Sequence, residues 1–294
     1  MKNRIILLIT VLLISFNVSA QLDRSILPVG GPTPKIKLEK PKEFKLKNGI
    51  KVLVVEDHKL PRVSYSLRID GTPIVEGDKS GVLDILAGML GNGTTSIDKD
   101  VFNEEIDYLG ANVNIGFRSS FASSLTKHSE RILELMADAI INPLLTVEEF
   151  EKTKEQYIEG LKADEKSIDA ISERVGNALS YGKNHVYGEF VSEETLNNVS
   201  YEDVIEFHEK YTYPNNAYIV VIGDVNYKEV KKSISEKFSV WKKAKKTYQN
   251  TPALTSNVNL TEVNFIDLPS ATQSSIGVTN NVDLKMNNED YFIA

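Results

Sequence analysis

A chain of 294 residues, 41% apolar and 26% charged, has room for one or two globular domains. Its 41 acidic against 34 basic residues give a net charge of −7, so it lacks the positive footprint that a phosphate backbone needs, and no nucleic-acid partner is expected. The absence of cysteine excludes disulfide scaffolds, thiolate zinc sites and a cysteine nucleophile.

Residues 1–20, MKNRIILLITVLLISFNVSA, read as a signal peptide: Lys2 and Arg4 form the basic end, Ile5 to Phe16 the apolar stretch, and Val18-Ser19-Ala20 the small residues of a cleavage site. Export to the periplasm or cell envelope is therefore expected, with no membrane span left after cleavage. Five Pro and Gly residues, with Pro41 just beyond, make 21–40 an extended arm. Alternating apolar residues flank Asn48-Gly49, which predicts a hairpin closed by a type I′ turn. Val63 to Ile69 alternates again and reads as a third strand.

From Gly81 to Gly91 the period becomes helical. Val82, Leu83, Leu86, Met89 and Leu90 form an apolar stripe, while Asp84, Ala87, Gly88 and Gly91 form a second, small-residue stripe that would let a helix or a peptide approach closely. A helix at 99–109, strands at 111–118 and 120–127, and a helix capped by Ser129 and ended by Pro143 follow. Helices at 146–164 and 168–181 come next, and Ser200 with Asp203 opens another through a capping box. A strand at 217–222 and a helix at 227–238 complete a module over 41–245. Residues 246–258 read as a linker, and strands at 259–267 and 273–279 with a helix opening at 287–290 read as the truncated start of a second module. That last helix has nothing to pack against, so a longer parent chain is expected. Blocks of strands and helices without strict βαβ units predict an α+β fold with a largely antiparallel sheet covered by helices.

Several phrases in a fixed order carry a resemblance. They are Phe44-x-Leu-x-Asn-Gly-Ile-x-Val, Pro61, Gly71, Glu76, Gly81, Met89-Leu90-x-x-Gly93-Thr94, Leu109-Gly110-Ala111-x-Val-Asn114 and His185-x-Tyr187-Gly188. Asp203-x-x-x-Phe207-x-x-x-Tyr211-x-x-Pro214-x-Asn216, Gly223-Asp224-Val225 and Phe238-x-x-Trp241 follow. The series resembles the insulinase/pitrilysin family of zinc peptidases, the M16 inverted zincins, and implies an M16 (LuxS/MPP-like) module. In that family two histidines and a glutamate of His-x-x-Glu-His lie on one helix, the histidines binding zinc and the glutamate activating its water. Here those five positions read Asp84-Ile85-Leu86-Ala87-Gly88, and the third-ligand position falls at Glu159 or Gly160. Catalytic zinc needs about three protein ligands and an open position. Asp84 with at most Glu159 gives two carboxylates and no imidazole, so neither a catalytic residue nor a cofactor is expected in this chain.

The resemblance therefore implies the inactive half or subunit of an exported peptidase. It would form a peptide-binding chamber with a zinc-bearing M16 homologue and hold an extended peptide substrate. The alternatives are a non-proteolytic structural or assembly protein of the cell envelope, and an active metallopeptidase whose zinc site lies beyond residue 294. Of the four histidines, His58, His128 and His208 read as surface or helix-cap residues, and His185 as part of a structural turn; no two are spaced i, i+4. Gly91-Asn92-Gly93 follows a helix and lacks the Lys-Ser/Thr of a phosphate loop, and no Gly-x-Ser-x-Gly elbow occurs.

Overall fold

The computed structural model describes residues 31, 40–245, 247, 260–282 and 284–293. The expected leader (1–20), all but residues 31 and 40 of the arm, and all but residue 247 of the linker lie outside the described residues. The unit considered below begins at Lys40.

Six strands form one sheet in the order β1-β2-β6-β3-β5-β4. They are β1 (Lys42–Lys45), β2 (Lys51–Glu56), β3 (Arg62–Ile69), β4 (Asn112–Ile115), β5 (Ser119–Leu125) and β6 (Ala217–Gly223). Only the β2–β6 pair is parallel; every other neighbour is antiparallel. Period-2 alternation decides which face is dry. In β3, Val63, Tyr65, Leu67 and Ile69 are buried, while Ser64, Ser66 and Arg68 point to the other face. The register continues that second face across the sheet through Leu53, Val220, Ser66 and Phe121.

Helices cover the buried face. They are α1 (Val82–Met89), α2 (Lys99–Tyr108), α3 (Ser129–Ile141), α4 (Val147–Asp164), α5 (Ile168–Tyr181), α6 (Glu193–Asn198), α7 (Tyr201–Tyr211) and α8 (Tyr227–Phe238). α3 packs on β4 and β5, α8 on α3 and β2, and α1 against α4 and α7. The result is the α+β fold with a largely antiparallel sheet covered by helices that the sequence predicts. Among the described residues no helix is long and apolar enough to cross a membrane.

Five local expectations need correction. The 46–50 turn is not type I′, because Asn48 does not take a positive φ; Gly49 alone does, at 110°. The Leu46 N–H donates to the Ile50 carbonyl and the Gly49 N–H to the Leu46 carbonyl, which makes a three-residue loop with a glycine at the end. Asn48 is instead 8% exposed and donates through Nδ2 to the carbonyls of Phe238 (2.7 Å) and Trp241 (3.1 Å). α3 is capped by His128 without a side-chain bond, and Ser129 is its first residue. The short helix α6, with a Ser192–Thr195 capping box, was not anticipated. Finally, none of the described residues in 260–279 is in a strand. Leu260, Val263, Phe265, Ile276 and Val278 are all exposed there, since an alternating segment without a neighbouring strand has no ladder to join. The anticipated closing helix is a single 3-10 turn, Glu289–Phe292.

Candidate functional site

α1 is anchored from its N-terminal side by carboxylates. Glu76 Oε2 accepts the N–H groups of Gly81 (2.9 Å) and Leu83 (3.1 Å), which the first turn of a helix leaves without intrahelical partners. Glu189 in turn accepts the N–H groups of Glu76 (3.1 Å) and Gly77 (3.0 Å). Burial pushes the Glu76 carboxyl above its ordinary range, the Leu83 and Gly81 N–H bonds pull it back, and the Asp84 and Glu189 charges add to the rise. The His185-x-Tyr187-Gly188 turn delivers Glu189: the Gly188 and Glu189 N–H groups both donate to the His185 carbonyl at 2.8 Å.

The four-residue spacing places Asp84 and Gly88 on the side of α1 that meets α4. Burial raises the Asp84 carboxyl, and the Asp84 charge adds to the burial that raises the Tyr157 hydroxyl. Gly88 lies against Thr153. A Cβ on Gly88 would sit 2.7 Å from Thr153 Cγ2 and 3.6 Å from Tyr157 Cε2, closer to the threonine than real Cβ atoms come. Thr153, 5% exposed, thus occupies the space that a larger residue at 88 would need. Ala87 is exposed beside it. On the helical period Gly160 stands within about 20° of Thr153, whereas Glu159 points about 120° away. Of the two third-ligand positions left open by sequence, Gly160 therefore continues the α1-facing side and has nothing within 4 Å of its would-be Cβ; Glu159 is exposed and turned elsewhere.

The zinc of catalytic zincins does not fit these residues. Asp84 is the one ionisable side chain among 84, 87, 88 and 160, a single carboxylate where about three ligands are required. Among the described residues no group of three or more His, Asp or Glu is placed to hold a metal ion. The histidines are dispersed. His58 Nδ1 lies 2.6 Å from Asp224 Oδ1 at the surface, and the His185 ring stacks on Tyr181 at 5.3 Å. His208 is not the surface or cap residue expected; it lines a small internal cavity, and burial takes its pKa down to about 4. Sequence reasoning missed Glu189, Thr153 and Tyr157. Glu189 was findable as the residue after the His-x-Tyr-Gly turn, but nothing in one sequence marks Thr153.

What the fold and the α1–α4 contact define together is an α+β module in which 84, 87, 88 and 160 offer a single ionisable side chain. Two family models match it: Insulinase (Peptidase family M16) over residues 51–188, and Peptidase M16 inactive domain over residues 198–293. The chain belongs to the M16 peptidase family, as the resemblance implied. Among solved structures it is similar to a protease from Helicobacter pylori, with 22% identity and a TM-score of 0.64 over 74% of this chain and 54% of that one. It is also similar to the peptidase M16 inactive domain from Pseudomonas fluorescens, with 20% identity and a TM-score of 0.63 over 73% of this chain and 54% of that one. Both likenesses concern the fold, and the chain spans about half the length of each. No curated protein matches it.

Proposed function

We propose that this chain is the non-catalytic half or subunit of an exported M16-type peptidase, closing a peptide-binding chamber with a homologue that carries the zinc. One observation carries the reading. The helix that would bear His-x-x-Glu-His presents Asp84, Ala87 and Gly88, one carboxylate and no imidazole where a catalytic zinc needs about three ligands. A scaffold with this arrangement lends shape and peptide contacts rather than hydrolysis. Extended peptides add to exposed sheet edges through main-chain hydrogen bonds, and β4, at one end of the sheet with Asn112 and Asn114 exposed, is such an edge. Residues 259–294 fit the start of a second module in this reading, and the 1–20 segment the export signal.

The test is metal analysis and a peptidase assay on the mature full-length protein, alone and mixed with an intact M16 homologue from the same genome. A metal-free protein, silent alone and stimulatory in the mixture, is expected. Stoichiometric zinc against α1, or chelator-sensitive cleavage by this chain alone, overturns the proposal.

A further inference from the structure

Three buried side-chain polar atoms among the described residues lack a hydrogen-bond partner: Arg118 Nε, Ser120 Oγ and Thr212 Oγ1. Two of the three, the hydroxyls, line one cavity of about 10 Å³. Ser120, 2% exposed, projects into it from the buried face of β5, opposite Leu67 of β3. Thr212 reaches it from the C-terminal end of α7, its own N–H already spent on the His208 carbonyl at 2.9 Å. His208, one turn earlier on α7, also lines the cavity, and Leu67, Leu90 and Ile140 supply apolar wall. Buried hydroxyls without partners are rare in folded proteins, and two facing one void call for a common explanation.

We propose that this cavity between β5 and α7 is a binding site for one internal water molecule, held by Ser120, Thr212 and His208. The volume is about that of a single water probe, too small for any organic ligand. Buried waters make about three hydrogen bonds, and three polar side chains converge here. The chemistry balances as well. Each hydroxyl can donate or accept, and the imidazole, neutral at pH 7 because burial takes its pKa to about 4, offers one donor and one acceptor nitrogen. The water ties α7 to the sheet. Since α7 packs against α1, it braces the far side of the helix that carries the degenerate site.

A crystal structure of the full chain at a resolution that shows ordered waters tests this directly. One water within hydrogen-bond distance of Ser120 Oγ and Thr212 Oγ1 is expected; a dry cavity with both hydroxyls turned onto backbone carbonyls overturns the proposal. Thermal melts of Ser120→Ala and Thr212→Val give a second readout whose sign separates the cases. Removing a hydroxyl that holds a water lowers Tm by about 2–4 °C for a domain of this size, with the double variant losing less than the two singles together. Removing a hydroxyl that holds nothing raises Tm or leaves it unchanged, because an unmet polar group has been taken out of the core; that result would refute the site.

Discussion

Replacing Gly88 by alanine puts the closed state of the α1–α4 contact to a quantitative test. Intrinsic helix propensity favours alanine over glycine by roughly 0.8–1.0 kcal/mol in a helix interior. Were the α4-facing side of α1 open, the substitution would stabilise the protein by about that amount. The new methyl would instead stand 2.7 Å from Thr153 Cγ2, roughly 1 Å inside the optimal carbon–carbon separation. Thr153 is β-branched, helical and buried, so it has little rotamer freedom with which to retreat. Overpacking of this kind costs about 1–3 kcal/mol, so the net expectation is a loss of about 1 kcal/mol, read as a fall of about 2–4 °C in Tm. Thr153→Ser removes the offending methyl and keeps the hydroxyl. Alone it costs about 0.5–1.5 kcal/mol for one buried methyl, but in the Gly88→Ala background it recovers stability, giving a favourable coupling of about 1–2 kcal/mol in a double-mutant cycle. A Gly88→Ala variant that gains its full propensity, or a cycle without coupling, would show that α4 does not close this side of α1.

Three further outcomes follow from groups outside that contact. Asn48→Ala removes the Nδ2 donor from the Trp241 carbonyl and one of two donors from the Phe238 carbonyl, which keeps the Trp241 N–H, and is expected to cost about 1–3 kcal/mol in chemical denaturation; Asn48→Asp should be worse, since a carboxylate would face those same carbonyls. Asp84 has a folded-state pKa raised by burial, so the folded protein binds its proton more readily than the unfolded chain and loses stability as pH rises from 3.8 through the folded value. Asp84→Asn should therefore melt above wild type at pH 7 and level with it near pH 3; a variant less stable at neutral pH would mean that the carboxylate has a partner. His208 has the opposite sign: its pKa falls from 6.5 to about 4, so stability present above pH 6.5 drains away as pH falls towards 4, by up to about 3 kcal/mol. His208→Gln should flatten that part of the pH–Tm curve, and an unchanged slope would place the acid sensitivity elsewhere.

Period and punctuation made most of the fold legible. Alternation in β3, the helical stripe of α1, the Ser200–Asp203 capping box and the 168–181 helix all stand where local residues put them. Misreadings arose where a residue answers to something distant in sequence. Asn48 looks like a turn residue with left-handed φ, but its amide is committed to carbonyls 190 and 193 residues away, and Gly49 alone carries the unusual backbone. His208 has the polar helical neighbours of a surface residue, yet the α7 face that bears it turns towards the sheet. Residues 260–279 carry strand-like alternation without a described strand beside them, and pattern alone does not supply a ladder.

The candidate site shows the same division between local signals and distant contacts. That 84–88 does not read His-x-x-Glu-His is visible in one sequence because the motif is local. The contacts that hold α1 are not local. Glu76 fastens the first turn of α1, Glu189 fastens Glu76 from 113 residues downstream, and Asn92 Nδ2 closes the last turn on the carbonyls of Gly88 and Met89 at 3.2 Å. Between those two ends the bare backbone at Gly88 admits Thr153. Ile85, Leu86 and Met89, all at 0% exposure, bury the opposite side in the core. Capping at both ends and packing along two sides thus position α1 through residues far apart in the chain.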